Sequence, residues 1–170
     1  SRGHSPSRSK PPLRLALRPD LGGSIAGLWH GDTPVRRSVE PAALAAPLAD
    51  EDAVAYENVL TAMRMPQELE PEVRNTLIGE TLSRAADVPL AIAECAASVA
   101  ELAAEIAVCG NPNLRGDAAA AAILAASAAR VAANLVEINL STVEGDDRVE
   151  RAREIVRSAD RAARRTAGTE

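Results

Sequence analysis

Eleven of the 16 residues from 118 to 133 are alanine, in the run "AAAAAILAASAARVAA". No other feature constrains the fold of this chain as much. Alanine is the strongest helix former and takes little room, so helices rich in it let their backbones approach closely. The composition agrees. Hydrophobic residues make up 46% of the chain, yet there is no Phe, one Trp and one Tyr. A core of that kind is built helix against helix. The length, 170 residues, suits one domain.

Prolines and glycines punctuate the helical pattern. The first helix is expected from about Pro41 to Arg64, with Pro47 disturbing its first turns and Pro66 ending it. Pro71 opens the second, with Glu72 in its first turn. Val73, Leu77, Ile78 and Leu82 give that helix an apolar stripe. Pro89 kinks or splits it, with Asp87 as a ready cap for the next helix. That segment runs through Leu90, Val99, Leu102 and Ile106 to Val108, and Gly110 is a natural stop. The turn "NPNLRG" leads to Asp117, an expected N-cap. The helix from there to Leu140 carries Leu124, Val131, Leu135 and Ile138 on one face, flanked by Asn134 and Asn139. After "STVEGDD" a last helix is expected from Asp147 to about Thr166. Val149, Ile155 and Val156 form its inner side, and arginines its outer one. No strand pattern is present. The expected fold class is therefore all-α, a bundle of long antiparallel helices.

Charge divides the chain. Residues 1–38 hold seven of the 19 Lys/Arg and two of the 24 Asp/Glu, and they are Ser/Pro-rich with short or absent periodicity. They read as an irregular basic head, disordered or degenerate, before a helical domain at 39–170. That domain is acidic, and its only aromatic is Tyr56. An acidic surface without a stacking platform argues against nucleic acid as a partner. No apolar run reaches membrane-spanning length and no signal peptide is evident, so the expectation is a cytoplasmic protein without a membrane partner. Cys95 and Cys109 share one expected helix, roughly 21 Å apart, so they cannot bond to each other within it. Two lone thiols without a His partner are not a metal site.

Both histidines, His4 and His30, lie in the head. Acid–base chemistry in the helical part therefore falls to carboxylates, Tyr or Cys. The densest carboxylate cluster is "LADEDAVAY". Asp50 and Asp52 point about 200° apart on a helix, so at most one faces a given site, and Tyr56 shares the face of Asp52. Two readings fit the cluster: a solvated acidic helix surface, or an acid set into a groove. Asp117, Asn134 and Asn139 carry the same ambiguity between capping, helix–helix hydrogen bonding and ligand recognition. The "GNPNLRGD" turn is either a tight connection or a set of N–H donors for an anion.

Four blocks, in order, resemble a known family: "LADEDAVAYENVLTAMRMP" (48–66), "AADVPLAIAE" (85–94), "CGNPNLRGDAAAAAIL" (109–124) and "ANLVEINL" (133–140). They look like the cyclodeaminase/cyclohydrolase domain that acts on tetrahydrofolate one-carbon derivatives. That domain occurs at the C-terminus of formiminotransferase-cyclodeaminase and as free-standing bacterial methenyltetrahydrofolate cyclohydrolase. The similarity covers roughly residues 44–165. It implies an all-helical homodimer and one of two reactions. In one, N10 of 5-formiminotetrahydrofolate attacks the formimino carbon, ammonia leaves, and 5,10-methenyltetrahydrofolate forms. In the other, water adds to that methenyl group. Neither requires a metal or redox cofactor, and both require proton transfer that a placed carboxylate can provide. The family's catalytic aspartate matches Asp50 or Asp52. Asn111, Asn113, Asp117, Asn134 and Asn139 are the matched candidates for the substrate pocket, and Tyr56, on the face of Asp52, is a further candidate. The family's opening P-G-G-G-S survives only as Gly22, Gly23 and Ser24, and "HGDTPVRRS" interrupts the long helix that should follow. The first helix is thus truncated or degenerate: either this member lost it, or the head is not the ancestral reading frame. A lost core helix would leave apolar surface exposed.

Overall fold

A computed structural model of the chain describes residues 34–64 and 70–167. They form five α-helices: α1 (Pro34–Met63), α2 (Pro71–Ala85), α3 (Asp87–Cys109), α4 (Arg115–Asn139) and α5 (Asp147–Ala167). Among the described residues there is no strand, and the expected all-α class holds. Gly22, Gly23 and Ser24 lie outside the described residues.

α1 starts at Pro34, before the expected Pro41, so its first turns take in residues that read as head. Proline at a first helical position gives up an N–H that no helical carbonyl could accept. Pro41 and Pro47 lie inside the helix without ending it. The second and third helices separate at Ala86, not at Pro89. Pro89 is the third residue of α3 and lies in that helix without breaking it. Asp87 is not the expected cap either. Ala86 holds that position, with a backbone that stays helical (φ −74°, ψ −19°), so α3 carries on almost directly from α2. At α4 the helix begins at Arg115 with Leu114 as N-cap, and Asp117 falls within the first turn without capping it. Gly110 ends α3 as expected, because a Cβ there would collide with the Ile106 carbonyl oxygen.

Side-chain pairs fix the helix directions. Arg130 Nη2 lies 2.6 Å from Asp160 Oδ1, and Arg153 Nε lies 2.8 Å from Glu137 Oε1. These pairs run α5 antiparallel to α4. Arg151 pairs with Glu94, and Ser158 Oγ donates to Glu101 Oε1 at 2.7 Å, so α5 runs parallel to α3. The tight 111–114 connection, one 3-10 turn, makes α3 and α4 antiparallel neighbours.

The core between these three helices is alanine on alanine: Ala97, Ala100, Ala104, Ala126, Ala129 and Ala159 are all buried in one cluster. This overturns the expected orientation of α4. Its stripe of Leu124, Val131, Leu135 and Ile138 faces outward, 70%, 64%, 43% and 55% exposed, while its alanine face is buried. Leu and Ile at the α3–α4–α5 contact would hold the helices apart, whereas alanine lets them close to the short end of helix spacings. The stripe of α2 is also weakly buried, with Val73 and Leu77 exposed. In α5, by contrast, Val149, Ile155 and Val156 pack inward as expected.

One further expectation changes. The segment Pro112–Asn139 is long and apolar enough, by length and composition, to cross a membrane. Its alanine content produces that apolarity, and the alanine face is packed inside the bundle.

Candidate functional site

α1 and α2 enclose a groove of about 700 Å³. From α1, Asp50, Glu51, Val54, Ala55, Asn58, Thr61 and Ala62 line it; from α2, Thr81, Arg84 and Ala85. Asp50, Val54, Asn58 and Thr61 recur at intervals of four, four and three, and Glu51, Ala55 and Ala62 lie beside them on the same broad face of the helix. Asp52 and Tyr56 lie on the opposite face; both aspartates and Tyr56 are exposed, so the face alone separates them. Helix pitch allows only one of the two aspartates to face a site, and Asp50 is the one in the groove. Asn58, Thr61, Thr81 and Arg84 were not singled out from sequence. Their signal was the shared face with Asp50, at i+8 and i+11 on α1. Thr61 and Thr81 each donate a hydroxyl to the carbonyl four residues back, Glu57 O at 2.8 Å and Leu77 O at 2.7 Å. Arg84 lies at the rim, 3.3 Å from Glu80.

The wall formed by the end of α2 is held by two side chains from elsewhere. Pro89 has no N–H to give the carbonyl four residues back, Ala85 O. Asn139 Nδ2 takes that place, donating to Ala85 O at 3.2 Å. Arg148 commits all five of its N–H donors. They reach Asp146 Oδ1 and Oδ2 at 3.0 and 2.7 Å, Ser83 O and Ser83 Oγ at 2.7 Å each, and Asp87 Oδ1 at 2.7 Å. Asp146 also accepts the backbone N–H of Arg148 at 2.9 Å, which caps α5. These bonds from Arg148 hold the Asp146 carboxyl down to about 2.

The other predicted residues are placed elsewhere. Asn111 Oδ1 accepts the Asn113 N–H at 3.0 Å, a side-chain-closed turn, and both residues are exposed. Asp117 is exposed in the first turn of α4, and Asn134 is exposed on its outer side. Twenty-two residues of helix put Asp117 and Asn139 roughly 33 Å apart. Within one chain, Asn111, Asn113 and Asp117 do not share a site with Asp50 and Asn139. Cys95 and Cys109 are both free and both on α3. Cys95 Sγ donates to Pro41 O at 3.0 Å, beside a second, largely apolar α1–α3 groove of about 560 Å³, and burial pushes its thiol up. Among the described residues, no three His, Cys, Asp or Glu side chains are grouped so that they could hold a metal ion.

Comparison with known proteins adds two findings. Residues 36–158 match the profile of the family described as formiminotransferase-cyclodeaminase. The formimidoyltransferase-cyclodeaminase of Sus scrofa is 36% identical over 123 residues, which cover 69% of this chain and 23% of that protein. The chain thus spans about a quarter of the length of this curated relative.

Proposed function

The chain belongs to the formiminotransferase-cyclodeaminase family, and from that premise we propose that it acts on a tetrahydrofolate one-carbon derivative in the α1–α2 groove, with Asp50 as its acid–base residue. The observation that carries this reading is that Asp50, and not Asp52, lines that groove, where Glu51 is the other carboxylate. In the cyclodeaminase reaction the Asp50 carboxylate takes the proton from N10 as it attacks the formimino carbon. The resulting acid then protonates the departing nitrogen, and ammonia leaves. In the cyclohydrolase reaction the same carboxylate takes a proton from the water that adds to the methenyl carbon. Asn58 and the threonine hydroxyls offer hydrogen bonds along the same wall. The proposal includes no metal or redox cofactor. It takes the protein to be a cytoplasmic homodimer without nucleic-acid or membrane partners.

A second reading is a non-catalytic helical module derived from the same family. The separation of Asn111, Asn113 and Asp117 from the groove favours it. A turnover assay on the purified chain decides between the two. It supplies 5-formiminotetrahydrofolate and, separately, 5,10-methenyltetrahydrofolate, and follows methenyl absorbance and ammonia release. Methenyl formation with ammonia identifies the deaminase, and methenyl loss the cyclohydrolase. Asp50→Asn is expected to lower the rate at least 100-fold, and Asp52→Asn to leave it within about twofold, as for an exposed residue remote from the groove. Equal rates for both variants would remove Asp50 from the mechanism, and no turnover in a folded sample would favour the module.

A further inference from the structure

The α1–α2 groove is unevenly supplied with hydrogen-bond donors and acceptors. A threonine hydroxyl has one proton and two lone pairs. Thr61 gives its proton to Glu57 O and Thr81 to Leu77 O, at 2.8 and 2.7 Å, so both can only accept from a ligand in the groove. Ionised, Asp50 and Glu51 also accept only. Among the described residues, neither carboxylate has a hydrogen-bond or ion-pair partner. The donors are the Asn58 amide and Arg84, and Arg84 already shares its charge with Glu80, 3.3 Å away. Two unpaired carboxylates and two accepting hydroxyls thus outweigh one amide and one paired guanidinium. Such a lining is complementary to a positively charged ligand that carries N–H groups.

The next step rests on the folate reading above. A formimino group is an amidine and is protonated at neutral pH, and a methenyl carbon between N5 and N10 is a cation as well. Asp50 cannot balance that charge throughout, because it becomes neutral when it takes the N10 proton. Glu51 follows it in the chain, turned by about 100° around α1 and one methylene longer, and it lines the same groove. We propose that Glu51 is the specificity-determining residue of the groove. Its carboxylate pairs with the positive charge of the one-carbon unit, so the groove selects a cationic unit over a neutral carbonyl unit of the same shape. Glu51 stays ionised while Asp50 carries the proton, which keeps one negative charge beside the nitrogen that leaves as ammonia. Thr61 and Thr81 accept from N–H groups of the bound ligand.

The test compares two probes, 5-formiminotetrahydrofolate and 5-formyltetrahydrofolate, which differ by a protonated nitrogen in place of an oxygen. The full chain carries Asp50→Asn, so that the first probe is bound without being converted, and calorimetry gives both dissociation constants. The cationic probe should bind at least about tenfold more tightly, the worth of one hydrogen bond to a charged group. Adding Glu51→Gln should remove most of that preference by weakening the cationic probe alone, with unchanged helical circular dichroism. Adding Asp52→Asn instead should leave the preference intact, because Asp52 is on the opposite face of α1. A preference that survives Glu51→Gln, or tight binding of both probes without preference, would overturn the role of Glu51 and leave the folate groove standing. A preference lost equally with Asp52→Asn would overturn it too, in favour of the general negative field of α1. Binding of neither probe by a folded chain would overturn the role of Glu51 and the folate reading together.

Discussion

Asn139 illustrates how one backbone defect assigns a role to a distant side chain. Pro89 frees the Ala85 carbonyl, and Asn139 fills it. Asn139→Ala leaves that carbonyl without its partner and should cost about 1–2 kcal/mol, seen as a lower urea midpoint. If the amide is structural, KM for the folate derivative should stay within about twofold, as for substitutions outside a binding site. A tenfold rise in KM at normal stability would instead put Asn139 on the substrate. Arg148 and Asp146 make a second case, with a defined pH dependence. The Asp146 carboxyl sits at about 2, below its ordinary 3.8. A lowered carboxyl stabilises the fold while it is ionised, and that contribution disappears as pH falls from 3.8 towards 2. Wild type should therefore be more stable than Asp146→Asn at pH 7, with the gap closing across that interval. Urea midpoints between pH 7 and pH 2.5 measure it, and a gap undiminished at pH 2.5 would show that the carboxylate charge is not its source.

At the scale of elements, most positions were legible in the sequence to within a turn or two, whereas of the faces that of α5 was legible and that of α4 was not. Pro71, Gly110 and "STVEGDD" set boundaries through local backbone chemistry, so they could be read one after another. Which side of α4 is buried depends on how closely α3 and α5 approach, and no single helix records that. Alanine occurs on every side of α4, so periodicity identified the Leu/Val/Ile stripe, and ordinary hydrophobic ranking sent it inward. The Arg148 cluster was illegible for a related reason: Ser83 and Asp87 lie more than 60 residues away in sequence. For Asp50 and Asp52 the pitch of one helix showed only that at most one faces a given site; which of them lines the groove depends on where α2 packs, and the sequence left both open. The alanine interface makes its own prediction. Ala129 is fully buried where α3, α4 and α5 meet. Ala129→Leu should destabilise by about 3 kcal/mol, whereas Ala129→Ser should cost clearly less, since it adds one atom. Thermal melts of the two variants check the order, and equal losses would mean that the contact tolerates added volume.

For the whole molecule, a core of small side chains implies limited apolar burial per residue, and that burial is the main favourable term in folding. A protein so built gains disproportionately from covering its one long apolar stripe. If that stripe is covered by a second copy, unfolding separates two chains, and stability becomes a function of concentration. For a dimer of this size, each tenfold increase in protein should raise Tm by about 2–3 °C. Leu124→Glu and Val131→Glu should remove that dependence, and lower Tm most at high concentration. Their effect at the lowest concentration should be small, because in the single chain both positions are already more than half exposed. A Tm independent of concentration in the wild type, together with an equal drop for the variants at every concentration, would mean that the stripe is buried within one chain. In that case the outward face of α4 would be part of the monomer's core.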